Sequence, residues 1–179
     1  MNSHVRMPAA NAVRIAAWSI AGLVLCVSLV AMQFTSEVDW TVFDFIVAAA
    51  MLGATGLMAE VLFRRSARLA YRAGTVFALG AILFTMWANL AVGIAGNEDD
   101  PFNLLYFALL AFVVLVAVLV RFRALGLALI SVGAVAGLAL LGAVAASRGY
   151  AIWPQTIVLM LPWCAAAAFF RYAAPAQTA

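Results

Sequence analysis

The sequence predicts an all-α integral membrane protein, a bundle of six transmembrane helices with both termini in the cytoplasm. Three observations lead to this fold class. Of the 179 residues, 68% are hydrophobic and 9% are charged, whereas soluble domains contain roughly 45–50% apolar residues. Six apolar stretches approach or exceed the ~20 residues that a spanning helix needs. Charged residues separate these stretches and alternate in sign, and the loops are too short for a folded soluble domain, so we expect one membrane domain.

The six predicted spans follow from the apolar runs, taken in order. They cover residues 13–34, 40–63, 73–95, 102–120, 124–146 and 152–170. The first run, from Ile15 to Met32, is longer than the h-region of a signal peptide and has no clear small-x-small cleavage site after it, so we interpret it as a helix. The predicted parts are a cytoplasmic N-terminal tail (1–12), the six-helix transmembrane domain (13–170) and a cytoplasmic C-terminal tail (171–179).

The distribution of charge predicts the orientation. Nine of the ten arginines fall in alternate connections counted from the N-terminus, and Arg148 falls on the other side. By the positive-inside rule, the arginine-rich side is cytoplasmic. The acids are distributed the opposite way: Glu60 is at an inner end, and the outer ends hold Glu37, Asp39, Asp44, Glu98, Asp99 and Asp100. The net charge of +3 therefore indicates contact with anionic lipid, and we expect no nucleic-acid partner.

The residue inventory excludes several kinds of chemistry. The single histidine, His4, lies in the N-terminal tail, so no histidine in a span can bind haem or act as a base. The chain has no lysine for a Schiff base. Cys26 and Cys164 fall near the middle of two spans, and we interpret them as small core residues. We expect no cofactor, and an enzyme is the least favoured class of function.

Rows of small residues indicate helix faces that pack closely in a membrane. The predicted rows are Ala49, Gly53, Gly56 and Glu60 on the second helix, Thr85, Asn89, Gly93 and Gly96 on the third, and Gly133 with Gly137 on the fifth. A tight bundle is the simplest interpretation. Faces rich in glycine also suit a pore, and the spacing does not separate the two.

The strongest candidate site lies at the outer face, where the connections after the first and third helices are rich in carboxylates and amides. Its candidate ligands for a cation or a proton are Asp44, Asn89, Glu98, Asp99, Asn103 and Tyr106. Such oxygen-rich groups suit a hard cation or a proton pathway, and the sequence does not say which ion. Because polar residues inside a span need partners, we expect Asp44 to hydrogen-bond Asn89 or Tyr106.

A structural alternative explains part of this cluster. Asp100 before Pro101 is typical of a helix N-cap followed by proline at the first helical position. Acids at that point also interact favourably with the helix dipole, and the charge bias leaves acids outside in any case. Both interpretations are open at the level of sequence.

A second candidate is an inner carboxylate site formed by Glu60, Arg64 and Arg72. Glu60 and Arg64 are four residues apart on one helix, so a simple surface ion pair is one interpretation. In the functional alternative, Glu60 carries a proton or a cation and Arg72 balances its charge. Asp44 and Glu60 cannot share one site, because their separation corresponds to about 24 Å along a helix.

Four segments carry a distinctive combination of residues. They are Val30-Ala31-Met32-Gln33-Phe34-Thr35 with Glu37, Val38 and Trp40; Val42-Phe43-Asp44-Phe45; Trp87-Ala88-Asn89-Leu90-Ala91-Val92-Gly93-Ile94; and Glu98-Asp99 with Pro101 and Asn103. From near Leu25 onward, the chain thus resembles a family of uncharacterised small bacterial polytopic inner-membrane proteins with no assigned activity. The resemblance implies a multi-pass protein of the bacterial inner (cytoplasmic) membrane. Asn97 and Asp100 replace the family's serine and asparagine, which adds one carboxylate to the outer cluster.

The sequence therefore predicts a small polytopic membrane protein for ion or small-solute transport, as a transporter or a channel, with an acidic outer-face site. The alternative is a non-catalytic accessory or structural subunit of a larger membrane complex. The expected partners are the lipid bilayer and either further copies in a homo-oligomer or that larger complex. No internal repeat relates the first three helices to the last three, which weakens the case for a secondary transporter.

Overall fold

A computed structural model describes residues 9–34 and 40–175, and within these ranges the chain is helical and has no strand. The helices are α1 (Ala9–Ala31), α2 (Val42–Arg65), α3 (Leu69–Ala91), α4 (Leu104–Leu119), α5 (Ala124–Ser147) and α6 (Trp153–Ala173), with a short 3₁₀ turn at Pro101–Asn103 before α4. The all-α prediction is confirmed. Each helix begins and ends within four residues of its predicted span.

Five helical segments of the described chain are long and apolar enough to cross a membrane. They are Val42–Arg65, Leu69–Ala91, Pro101–Leu119, Ala124–Ser147 and Trp153–Ala173. In α1, the described apolar stretch is Trp18–Ala31, which is shorter than these five. The structure is therefore consistent with a helical, multi-pass membrane bundle, and the sixth span stays a prediction.

The chain divides into two compact units, Met1–Met58 and Ala59–Ala179. In the first unit, the indole of Trp18 on α1 lies against Gly56 on α2, where a Cβ atom would stand 2.9 Å from the ring. A residue with a side chain at this position would force the indole ring or the helices to shift. Gly56 therefore has the packing role that the row of small residues predicted, whereas no described atom lies within 4 Å of a Cβ at Gly53.

In the second unit, α6 packs against both α3 and α5, and α4 packs against α5. The largest fully buried side chains include Trp163, Tyr106 and Phe170. Glycines allow close contact at two further places, Gly74 against the ring of Phe170 and Gly137 against Leu109. The predicted pair on α5 is thus half confirmed, because Gly133 has no described atom near its Cβ position.

One end of the second unit carries the acidic connection between α3 and α4. The hydroxyl of Tyr150, between α5 and α6, donates a hydrogen bond of 2.5 Å to Asp100, between α3 and α4. These two connections therefore meet at one end of the unit. We call residues 92–103 and 148–152 the acidic end.

The opposite end carries most of the arginines. Tyr71 donates to the carbonyl of Phe122, at 2.9 Å, and Arg68 donates to the carbonyl of Ala173, at 2.7 Å. These bonds join the start of α3 to the connection between α4 and α5 and to the end of α6. We call residues 63–72, 121–124 and 171–175 the arginine end.

Two sequence predictions about buried positions are wrong. Helix α3 ends at Ala91, so Gly93 and Gly96 do not continue its packing face. Both adopt left-handed backbone angles, with φ of 70° and 71°, which favour glycine, and their role is to turn the chain. Cys26 and Cys164 are exposed on their helices rather than buried in a core.

Candidate functional site

At the acidic end, the side chain of Asn103 organises the connection between α3 and α4. Its Oδ1 accepts from the backbone N–H groups of Ile94 and Ala95, at 3.1 and 3.0 Å. Its Nδ2 donates to the carbonyls of Ala95 and Asn97, at 3.1 and 2.6 Å. Asn103 is 3% exposed, so these bonds satisfy backbone groups that water reaches poorly. The Asn103 carboxamide, a predicted ion ligand, therefore bonds the backbone of its own loop.

Asp100 begins the 3₁₀ turn, as the structural alternative predicted. Its Oδ1 accepts from the backbone N–H of Phe102 at 2.8 Å, and Pro101 occupies the first position of the turn. The pKa of Asp100 lies below its ordinary value, chiefly because the carboxylate accepts from the Tyr150 hydroxyl and then from the Phe102 N–H. The positive charge of Arg148 makes a smaller contribution. The Arg148 guanidinium also lies 5.4 Å from the centre of the Phe102 ring. Asp100 thus has a demonstrated role in stabilising the loop.

Glu98 and Asp99 differ from Asp100 because both are exposed to solvent. Within residues 9–34 and 40–175, no three Asp, Glu, His or Cys side chains gather closely enough to hold a metal ion. The two carboxylates therefore add negative charge to the acidic end, and they do not belong to a cluster of three such side chains that could hold a metal ion.

Below the loop lies a buried polar layer formed by Thr85, Asn89 and Tyr106. Their exposures are 1%, 2% and 1%. The Asn89 Nδ2 donates to the carbonyl of Asn103 at 2.9 Å, one helical turn before Tyr106, and Thr85 lies one turn from Asn89 on the same face of α3. Among the described residues, the Thr85 Oγ1, the Asn89 Oδ1 and the Tyr106 hydroxyl have no hydrogen-bond partner. We call these three residues the polar layer.

Other buried hydroxyls of the same bundle show that this lack of partners is unusual. Thr75, Ser131 and Thr156 each donate to the carbonyl four residues earlier in their helix, at 3.0, 2.8 and 2.9 Å. Thr85 could satisfy its hydroxyl in the same way, yet it does not. The polar layer therefore combines strong burial with free hydrogen-bonding capacity.

Asp44 lies in the first unit, where it completes a capping box at the start of α2. Its Oδ2 accepts from the N–H and the hydroxyl of Thr41, at 2.7 and 2.8 Å, and the Thr41 Oγ1 accepts from the N–H of Asp44, at 3.3 Å. The predicted hydrogen bond from Asp44 to Asn89 or Tyr106 would join the two units and stays a prediction. Two acids of the same predicted cluster, Glu37 and Asp39, lie outside the described residues.

At the arginine end, Glu60 and Arg64 form the surface pair that their spacing predicts, with 3.7 Å between charged atoms. The guanidinium of Arg72 donates to the carbonyls of Ser66 and Phe63, at 3.2 and 3.3 Å, and lies 5.7 Å from the centre of the Phe63 ring. Arg72 thus satisfies carbonyls at the C-terminus of α2. Its predicted role as a balancing charge for Glu60 stays a hypothesis.

No family model, curated protein or solved structure matches this chain. The resemblance to small bacterial inner-membrane proteins, drawn from short segments of sequence, therefore stays an expectation. A function for this chain has to be inferred from the geometry of its own residues.

Two features of the structure have roles that the sequence does not predict. The first is the role of Thr85, which has the spacing of a packing row and which belongs to the polar layer with Asn89 and Tyr106. The second is the role of Thr41, although the Thr-x-x-Asp pattern before an apolar run is a recognisable capping signal. Nothing in the sequence distinguishes Thr85 from the buried threonines that bond their own helix.

Proposed function

We propose that this chain is a multi-pass protein of a bacterial inner membrane that binds and passes a small monovalent cation or small polar solute, entering at the acidic end. In this proposal six helices span the membrane, both termini are cytoplasmic and the acidic end faces outward. The arginine bias supports that orientation. Membership of the small bacterial inner-membrane family is part of the same proposal.

One observation carries the proposal, namely the three unpartnered oxygen atoms of the polar layer. A buried polar group without a hydrogen bond costs about 1–3 kcal/mol, and the cost rises where water is excluded. Such groups are explained when a ligand or an ordered water supplies the missing bond. Thr85 and Asn89 lie one turn apart on α3, and Asn89 bonds the carbonyl three residues before Tyr106 on α4, so a ligand between these helices would find several contacts.

The chemistry of these oxygens indicates which ligands fit. A hydroxyl, an amide oxygen and a phenol are neutral, so they can replace part of the hydration shell of a monovalent cation or bond a hydroxyl group. A divalent cation is less favoured because it prefers carboxylates, and the polar layer holds none. The exposed carboxylates of Glu98 and Asp99 at the same end raise the local concentration of cations.

The test uses the full chain reconstituted in lipid vesicles, with flux of H⁺, Na⁺, K⁺ and a small polyol measured against empty vesicles. The double variant Thr85→Val and Tyr106→Phe removes two unpartnered hydroxyls with little change of shape. We expect its flux to fall at least about tenfold, the effect of losing roughly 1.4 kcal/mol of transition-state binding. Its stability should be unchanged or higher, because no existing hydrogen bond is lost.

The matched control is Thr156→Val, which removes a buried hydroxyl that bonds its own helix. This variant should retain normal flux. Equal flux in empty vesicles and in vesicles that contain the protein would refute the transport proposal. Equal losses of flux in the control and the double variant would show that the polar layer has no specific role in transport.

A second candidate function, an accessory subunit of a larger membrane complex, is favoured by the surface of α2. Within the described chain, α2 fully buries a single residue, Leu62, and Gly53 offers open space for another helix. Extraction from the native membrane in mild detergent, followed by mass determination, should then give a stoichiometric larger partner. Gly53→Leu should release that partner and Gly80→Leu, at an equally open glycine on α3, should not. Consistent recovery of homomers alone would refute this function.

A further inference from the structure

A cavity of about 430 Å³ lies at the arginine end of the second unit. The connection between α2 and α3, the connection between α4 and α5 and the end of α6 form its walls. Four arginines line it: Arg65, Arg68, Arg121 and Arg123. No acidic side chain lines this cavity among the described residues, and the nearby acid Glu60 is paired with Arg64. The cavity is therefore strongly positive.

The four guanidinium groups have donors to spare. Arg65 and Arg68 each donate one hydrogen bond to a backbone carbonyl, at 3.2 and 2.7 Å, out of five N–H groups on each side chain. Within the described part of the chain, the guanidinium groups of Arg121 and Arg123 bond no acceptor. The cavity thus presents many N–H donors and few acceptors.

Two helix N-termini add to this imbalance. Helices α3 and α5 have Arg68 and Arg123 at their N-cap positions, without a side-chain capping bond and without an acid in the first turn. Ser, Thr, Asp or Asn is the usual N-cap, and an arginine there faces the positive end of the helix dipole. Because Arg68 and Arg123 line the cavity, the N-termini of both helices, with their positive partial charge, lie at its wall.

The turn between α4 and α5 is held in an uncommon conformation beside the same cavity. Arg121 and Phe122 have φ of 55° and 56°, which residues with a side chain rarely adopt. The hydroxyl of Tyr71 and the guanidinium of Arg65 bond the carbonyls of this turn. Strained turns that are held by their surroundings are frequent at binding sites.

We propose that this cavity binds a phosphate group, supplied either by the headgroup of an anionic phospholipid or by a free phosphate. Phosphate oxygens match the planar fork of arginine and accept from N–H groups at helix N-termini. Basic pockets between helices on the cytoplasmic side of a membrane also suit anionic headgroups. The site does not depend on the transport proposal, since it lies at the opposite end of the unit.

The test measures the thermal unfolding midpoint of the full chain in an uncharged detergent. Phosphatidylglycerol, phosphatidylcholine and inorganic phosphate are titrated separately, and the concentration dependence of the midpoint gives each affinity. We expect phosphatidylglycerol or inorganic phosphate to raise the unfolding midpoint. Phosphatidylcholine, whose headgroup has no net charge, should leave the midpoint at its value in detergent alone. Removing two arginines should weaken binding by about 25-fold, roughly fivefold for each charge.

The variants are matched for charge. Arg121→Gln with Arg123→Gln removes two arginines that line the cavity, whereas Arg64→Gln with Arg171→Gln removes two from the same end outside it. Stabilisation by phosphatidylglycerol alone identifies a lipid headgroup as the source, and stabilisation by millimolar inorganic phosphate identifies free phosphate. Equal weakening in both double variants would show diffuse surface attraction and overturn the site, as would indifference to both phosphate sources.

A single-residue variant keeps the test decisive if the double variant is unstable. If the cavity variant unfolds at a lower midpoint without ligand, Arg123→Gln alone repeats the comparison, because its guanidinium bonds no acceptor in the described chain. A fivefold loss of affinity with an unchanged ligand-free midpoint then supports the site, and an unchanged affinity refutes it.

Discussion

At the acidic end of the second unit, most of the side-chain bonds to the backbone of the connection come from one buried residue, whereas at the arginine end such bonds come from several residues. Asn103 makes four hydrogen bonds to loop backbone. At the other end, Arg65 and Arg68 each make one bond to backbone carbonyls and Arg72 makes two. The first arrangement depends mainly on Asn103, and the second is distributed over the three arginines and the buried Tyr71.

The two ends also differ in the hydrogen-bonding groups that remain available to a ligand. Below the acidic end, the unpartnered oxygens of Thr85, Asn89 and Tyr106 provide acceptors. At the arginine end, the carbonyls of Phe63, Ser66 and Ala173 accept from arginine side chains, and N–H donors remain in excess. Acceptors attract cations or hydroxyl groups and donors attract anions, so the two ends are suited to ligands of opposite character.

The largest expected effect is at Asn103. Asn103→Ala leaves the N–H groups of Ile94 and Ala95 and the carbonyl of Ala95 without partners, whereas the Asn97 carbonyl still accepts from the N–H of Asp100. Each unmade buried bond costs about 1–3 kcal/mol. Allowing for relaxation of the loop, we expect the free energy of unfolding to fall by about 4 kcal/mol. Reversible SDS titration of the full chain in mixed micelles measures this quantity.

Asn97→Ser is the control, because it changes an exposed amide of the same connection whose side chain makes no hydrogen bond within the described chain. Its loss of stability should be smaller than that of the alanine variant. If alanine at position 103 cost less than about 1 kcal/mol, the size of one ordinary hydrogen bond, the contrast between the two ends would be wrong.

An intermediate effect is expected at Arg72, which bonds two carbonyls at the end of α2. Arg72→Ala should lower the free energy of unfolding by about 2 kcal/mol, a typical value for hydrogen bonds that involve a charged group. Arg64→Ala should cost at most about 0.5 kcal/mol, because its pair with Glu60 is largely exposed to solvent. The same SDS titration compares both, and equal effects would mean that the carbonyl contacts of Arg72 add nothing.

The helices were predictable because the apolar runs between charged residues are long. Span positions follow from length and hydropathy, quantities that are local in sequence. The end of α3 was less predictable, since Gly93 and Gly96 have the spacing of a packing row and in fact turn the chain. Spacing alone does not reveal a left-handed backbone angle.

The site was predictable in its residue types and less so in their roles. Asn89 and Tyr106 were candidates because polar groups inside spans need partners, and their burial agrees with that reasoning. Asn103 was proposed as an ion ligand, but its carboxamide bonds a loop whose path depends on tertiary packing. The cavity at the arginine end joins three connections distant in sequence, so no local pattern could show it.

The smallest expected effect concerns the Tyr150 to Asp100 hydrogen bond, because both residues are partly exposed. The bond is the main reason that the pKa of Asp100 lies below its ordinary value of 3.8. It is also the main reason that the pKa of Tyr150 lies above its ordinary value of 10.0. A lowered carboxyl pKa adds stability above pH 3.8 that disappears as pH falls through the folded-state pKa. A raised phenol pKa adds stability below pH 10.0 that disappears as pH rises through its folded-state value.

Tyr150→Phe removes the hydroxyl and retains the ring that packs near Phe102. Wild type should therefore be more stable than Tyr150→Phe between about pH 4 and pH 10, and the two should converge towards both extremes. Thermal unfolding midpoints from pH 3 to pH 11 measure the difference. A difference that stayed constant below pH 4 would mean that the ionised form of Asp100 is not what the hydroxyl stabilises. The acidic end would then depend still more on the four backbone bonds of Asn103, which would make its contrast with the distributed arginine end sharper.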